Sequence, residues 1–218
     1  MELELAIKTR RSVRKFKNQP VGRELIEKLT DLANYAPSAC NVQGWKFIVV
    51  DKQELKDQIV DNGGSILIKN APVGILVIYD KRTKNLIYQD HIQSGSAAIQ
   101  NLSLGAADLG LGSCWLCHLP TPKKLRKIFK IPAYYQPIAF IMLGYPETGT
   151  KTVPRKYDLK QIMSYNRFSD DWPKEKINPI ILLVKRILVK IYYLTPRFIK
   201  KILFNNLLDK KFVKKFDN

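Results

Sequence analysis

Apolar residues recur at helical spacing twice before any strand signal appears. Residues 2–10 carry the first pattern. In residues 23–36, Leu25, Ile26, Leu29, Leu32 and Ala33 fall on one face, and Pro37 closes the run. "WKFIVV" (45–50) is a short β-rich run. "APVGILVIYD" (71–80) is continuously apolar and ended by charge, which predicts a strand buried on both faces. Residues 90–110 read as a helix with unusually small side chains, among them Ser94, Gly95, Ala97, Ala98, Gly105 and Ala106. Such a helix can be approached closely, so it belongs in a tightly packed core or a subunit interface. Asp90 is its expected cap. "GSCWL" (112–116) and "PIAFIMLGYP" (137–146) read as further strands. Between them "TPKKLRKIF" (121–129) is a short helix, with Thr121 as cap and Pro122 in the first turn. The order α-α-β-α-β-α-β-α-β departs from the regular alternation of a doubly wound domain, because two helices precede the first strand. Neither GxGxxG nor GxxxxGK[ST] occurs.

Charge changes this picture in one place. The 218 residues carry a formal net charge of +18. From Lys174 onward there are twelve Lys/Arg against three Asp/Glu, so half of the excess lies in the last 45 residues. The remainder is a moderately basic body, expected to close near "MSYNRFSDDW" (163–172). This divides the chain into a domain over 1–172 and an extension over 173–218. Three cysteines do not make a disulfide framework, and "MELELAIKTR" lacks the layout of a signal peptide. A reducing, cytoplasmic setting follows as an expectation. No apolar run approaches the ~20 residues that span a bilayer.

Candidate chemistry begins at "KTRRSVRKFK" (8–17), where six of ten residues are cationic. The run fits a nucleic-acid arm, a solvated surface or the cradle of a single anion. A nucleic-acid arm is unlike it in spacing, and nucleic acid is not an expected partner. Arg10, Ser12 and Arg14 alternate, so in an extended segment they share a side, and two guanidinium forks around a hydroxyl match a phosphate monoester. Other groupings carry less. Cys114 and Cys117 form a CxxC, but residues three apart in a strand face opposite ways, and no second pair completes a metal site. Cys40 and His118 match no standard ligand spacing, so no metal is expected. His91 and His118, the only histidines, read as structural, and no Ser/His/Asp grouping suggests hydrolysis.

A second segment, "YAPSACNVQGWKFIVV", places a Pro-Ser turn, an Asn and a Gln before a Trp-led strand. Together with "RRSVRKF" upstream, and with "KNAPVGILVIYD", "DHIQSGSAAIQNLSLGAADLGLGSCW" and "LGYPETGTKTVPRKYDL" following in order, it resembles the FMN-dependent nitroreductase family over roughly residues 4–172. The resemblance implies an α+β fold, a mostly antiparallel central sheet wrapped by helices, in an intertwined homodimer with FMN at the subunit interface. It implies that Arg10 and Arg155 hold the phosphate, with Lys156 the alternative to Arg155 by one residue of register. Arg11 and Ser12 would donate beside it. Arg14 would lie near N1 and the C2 carbonyl of the flavin and tune it. Pro37, Ser38 and Ala39 would meet the ring from the partner subunit, with Asn41 in the same cofactor-binding loop. Leu116, Cys117 and His118 would contribute backbone groups near N5. No side chain is expected to act as acid or base. The implied activity is NAD(P)H-dependent reduction of a quinone, nitroaromatic or other conjugated electrophile, by ping-pong transfer through the flavin. Two alternatives remain: a specialised flavin reaction on the same fold, or a binding protein that has lost its flavin. Gly44 stands where the family usually has Pro, which loosens the turn and leaves the acceptor open.

The extension is outside the usual family core. On a helical wheel Lys185, Arg186, Lys190, Arg197, Lys200 and Lys201 fall within one half, leaving Ile, Leu, Val, Phe and Tyr on the other. Pro196 must divide it into two helices. A basic amphipathic pair fits an in-plane anchor on an anionic membrane surface through residues 177–216, peripheral on its inner face. Two other readings remain: an arm that wraps the partner subunit, and contact with another acidic or nucleic-acid partner.

Overall fold

The computed structural model describes residues 2–83, 85, 87–149, 153–169, 178–195 and 199. The chain divides into two compact units, with residues 151–196 forming the second.

In the first unit, α1 (Leu3–Thr9) and α2 (Arg23–Asn34) precede β1 (Trp45–Val50), α3 (Gln53–Asp61) and β2 (Val73–Asp80). Then come α4 (Asp90–Asp108), β3 (Gly112–Leu116), α5 (Pro122–Phe129) and β4 (Tyr135–Gly144). The four strands form one antiparallel sheet in the order β1-β2-β4-β3. Because side chains alternate along a strand, β2 serves two cores at once. Ile75, Val77 and Tyr79 pack with Leu29 and Ala33 of α2 and with Ile99, Leu102 and Ala106 of α4. Leu76 and Ile78 face the other way, toward Ile59 of α3, Leu125 of α5 and Phe140 and Met142 of β4. The continuous apolar run of β2 is therefore the middle of a sandwiched sheet.

β4 begins two residues before the pattern suggested, with Pro137 inside it. β3 pairs only with Phe140 to Gly144, so Pro137 lies where β4 has no neighbour on that side to receive an N–H. The small side chains of α4 admit α2: a Cβ on Gly105 would lie 2.6 Å from Leu32 Cδ1. Asp90 is the first residue of α4 rather than its cap, a position taken by Gln89 in a left-handed conformation. Its carboxylate still accepts the His91 N–H at 2.8 Å. Thr121 does occupy the cap position of α5, although its side chain makes no capping hydrogen bond.

In the second unit, α6 (Pro179–Leu194) starts at Asn178, whose Oδ1 accepts from the Ile180 N–H at 2.9 Å, and has Pro179 in its first turn. It stops at extended Thr195, the residue before Pro196, as the clash of a proline with a preceding helical residue requires. The second expected helix of the extension lies outside the described residues. Among the described residues no helix is long and apolar enough to cross a membrane.

Candidate functional site

The cationic segment runs beside β3. Ser12 bridges Ser113 in parallel register, and the Val13 N–H donates to the Ser113 carbonyl at 2.9 Å. Val13 is the buried residue of the segment and fixes it to the body. It can do so because residue 112 is glycine: a Cβ there would lie 2.8 Å from the Val13 Cβ and Cγ2 and 2.9 Å from Cγ1. With Val13 inward, the flanking residues turn outward. Arg10 and Arg14 are half-buried and Ser12 is exposed.

Ser12 bridges the strand one residue before the buried Cys114, and Arg10 and Arg14 lie near enough to act on its thiol. Burial pushes the Cys114 thiol up, while Arg14, a hydrogen bond with Ser12, and Arg10 pull it the other way. Cys117 lies exposed just past the end of β3, while Cys114 is buried within it, and no group of three or more metal-binding side chains exists among the described residues.

The Arg10 guanidinium has no hydrogen-bond or ion-pair partner among the described residues. Arg11 is differently placed. Its Nη1 donates to the carbonyls of Lys8 and Arg10, both at 2.7 Å, at the end of α1. The last carbonyls of a helix have no partner within it, and this side chain supplies one. Its Nε is buried without a partner among the described residues. A set of cations and hydroxyl with one uncommitted guanidinium fits a phosphate monoester, which presents only acceptors and negative charge.

The second segment stands at the other end of α4. The Ala39 N–H donates to Ser94 Oγ at 3.1 Å, which fastens the loop to the first turns of that helix. Ser38 Oγ accepts from the Gln43 N–H at 3.0 Å, and Gln43 Nε2 donates to Asn41 Oδ1 at 2.6 Å. Cys40, Asn41 and Gln43 all have positive φ, at 51°, 55° and 50°. Three such non-glycine residues within four positions store about 1 kcal/mol or more each, a concentration typical of ligand-contacting loops. Pro37 is exposed at its start. Trp45 closes the loop by donating from Nε1 to Asn34 Oδ1 at 2.9 Å. Gly44 has a steric reason here: a Cβ would lie 2.7 Å from Cε1 of Tyr79, which is buried and meets Trp45 edge-on at a centroid distance of 6.1 Å.

Leu116 ends β3 and is buried, Cys117 is exposed, and His118 is half-buried with its carbonyl accepting from the Ser65 N–H at 3.0 Å. Arg155 and Lys156 belong to the second unit, where both are exposed; the Lys156 ammonium stands 4.7 Å from the Tyr157 ring centroid. Residues 10, 12 and 14 are therefore brought together, while loop 37–41 is held separately. Val13, Gly112 and Ser94 support the site without any signal in the sequence. Val13 and Gly112 form one steric fit, and Ser94 is one small residue among many on α4.

The sequence pattern of the Nitroreductase family matches residues 7–63 and 60–145. The chain belongs to the nitroreductase family. A protein of Methanothermobacter thermautotrophicus, provisionally named NADH dehydrogenase/NAD(P)H nitroreductase, is 39% identical over 156 residues, 70% of this chain and 81% of that protein. Among solved structures, an FMN-dependent nitroreductase from Clostridium difficile superposes with a TM-score of 0.66 at 32% identity, covering 75% of this chain and 98% of that one. A provisionally named nitroreductase from Desulfovibrio desulfuricans, solved in complex with FMN, gives a TM-score of 0.64 at 25% identity over 78% of this chain and 99% of its own. The antiparallel sheet between helical layers is thus the nitroreductase fold. About a quarter of this chain has no counterpart in these two nearly fully covered neighbours.

Proposed function

We propose that this nitroreductase-family chain is an FMN-dependent NAD(P)H oxidoreductase that reduces a quinone, nitroaromatic or other conjugated electrophile. The observation that carries this reading is the extended segment of Arg10, Ser12 and Arg14, bridged to β3 by Ser12 and Val13, with the Arg10 guanidinium uncommitted among the described residues. Bound FMN would supply the hydride-transfer chemistry between nicotinamide and acceptor. Arg10 and Ser12 would hold the phosphate. Arg11 steadies the turn between α1 and the cradle through its bonds to the α1 carbonyls. Arg14 would offer positive charge to the N1 edge, where reduction develops negative charge. Leu116, Cys117 and His118 would contribute backbone groups near N5. The donor and acceptor use one pocket in turn, which gives ping-pong kinetics and asks no side chain for a proton.

The enzyme acts as a homodimer in this reading. Loop 37–41 is fastened at Ser94, and the cradle lies beside the strand that follows the end of α4, about 20 Å farther along that helix. That separation supports a site in which Pro37, Ser38, Ala39 and Asn41 of one copy meet the ring held by the other.

The test is the visible spectrum of the purified protein, with added FMN and then NADPH without oxygen, followed by a quinone or nitroaromatic. A flavin band that bleaches and returns is expected, with a mass in solution of two chains. Protein that stays colourless after incubation with FMN overturns the reading.

A further inference from the structure

The flavin chemistry leaves α6 without a task. Ile180, Val184, Ile187, Leu188, Ile191 and Leu194 fall within about a third of its circumference, and their side chains are 47–84% exposed. Lys185, Arg186 and Lys190 lie on the opposite side, with Leu182 and Val189 between them. The helix contains no acidic residue, and none occurs anywhere in residues 176–208. Its 16 residues extend about 24 Å, short of the ~30 Å hydrocarbon core, so its length and its three cations both oppose crossing.

We propose that α6 is an in-plane anchor for an anionic lipid surface, with the apolar arc seated among acyl chains and Lys185, Arg186 and Lys190 among phosphate headgroups. Charge decides between the occupants of this face. A second copy pairing through α6 would bring the same acid-free, cationic helix against itself. A nucleic acid would satisfy the cations and leave the apolar arc in water. An anionic bilayer meets both sides at once. Nothing in this proposal depends on the flavin.

The test is sedimentation of the full chain with vesicles of phosphatidylcholine, with and without phosphatidylglycerol. Pelleting is expected only with phosphatidylglycerol present. A Lys185→Gln, Arg186→Gln, Lys190→Gln variant should lose about a hundredfold in partitioning, from three cations near the surface. An Ile187→Gln, Ile191→Gln variant should lose binding while keeping the parent's melting temperature and mass in solution. Failure of the parent to pellet overturns the proposal, as does pelleting that both variants retain. Dissociation of a dimer by the Ile187→Gln, Ile191→Gln change, without lipid binding by the parent, would assign the face to a second copy instead.

Discussion

A single methyl group, itself uncharged, should disable the anion cradle. In Gly112→Ala the new Cβ would lie 2.8–2.9 Å from three side-chain atoms of Val13, where apolar carbons sit comfortably at about 3.5–4.0 Å. One side must retreat by roughly 1 Å. Residue 112 is in β3 and paired to Gly144 of β4, whereas Val13 is held by its N–H to Ser113 and the bridge at Ser12. The cationic segment is therefore the part that yields. Overpacking of this kind costs about 1–3 kcal/mol, which lowers the melting temperature by about 2–12 °C in a chain of this size. The displacement carries Arg10 and Ser12 with it. Loss of even one charge-assisted hydrogen bond to phosphate, worth about 1.5–3 kcal/mol, weakens FMN binding by roughly 10- to 150-fold. The assay is quenching of flavin fluorescence on titration of apoprotein, with a melting curve on the same sample. Adding Val13→Ala removes both γ-carbons from the clash and should recover part of the affinity. Unchanged FMN affinity in Gly112→Ala would refute the reasoning, because it would mean that the Val13 anchor does not set the position of the donors.

The other outcomes follow from the same contacts. Arg10→Ala should abolish retention of FMN through gel filtration while leaving the melting temperature of the apoprotein within about 1 °C, since the guanidinium bonds nothing among the described residues. Arg14→Ala should make the two-electron potential of bound flavin more negative by about 30–65 mV, measured by dye equilibration, through loss of one charge-assisted contact to the reduced form. Gly44→Pro should cost about 1–3 kcal/mol in urea unfolding by driving into the Tyr79 ring, with partial recovery in a Tyr79→Val background. Lys56 is buried, with Nζ donating to the carbonyls of Ala71 at 2.9 Å and Pro72 at 3.3 Å, and desolvation holds its pKa below 10.5. The folded chain therefore releases this proton at lower pH than the unfolded chain, so stability rises with pH between the folded value and 10.5. The stability difference between parent and Lys56→Met should shift in the parent's favour across that window; a difference flat in pH would refute it.

Strands 45–50 and 112–116 have the bounds that the apolar pattern indicates. The helix read over 90–110 ends at Asp108, where Gly110 takes a φ of 73° and turns the chain into β3. The alternation of Arg10, Ser12 and Arg14 was legible for the same reason as the strands: Val13 must face inward, so its neighbours face out. Arg11 shows the limit of that logic. It is the same residue type in the same run, yet the unpaired carbonyls at the end of α1 claim its guanidinium, a demand that arises only once α1 has formed. The strain in loop 37–44 was equally invisible. Cys40, Asn41 and Gln43 are not glycines, and their positive φ goes with hydrogen bonds accepted by Ser38 and Ser94, which the motif does not reveal.

Gly44 joins fold and site in a way that neither composition nor motif reveals. In place of the family's usual proline, glycine looks like a loosening of the turn. The structure gives that position a different reason, since the space a side chain would need is filled by Tyr79, whose ring packs edge-on to Trp45, while Trp45 in turn holds Asn34 at the end of α2. The turn is braced from below by an aromatic pair instead of from within by a pyrrolidine ring. A brace of that kind fixes residues 44 and 45 yet leaves the φ of Gln43 free of the restriction that a following proline imposes. Gln43 uses that freedom: at a φ of 50° its amide reaches Asn41 and its N–H reaches Ser38, which are the contacts that shape the proposed ring-facing loop. Acceptor preference in this chain should accordingly respond to Tyr79 and Trp45 as a pair, although both lie beneath the loop and neither needs to touch the acceptor.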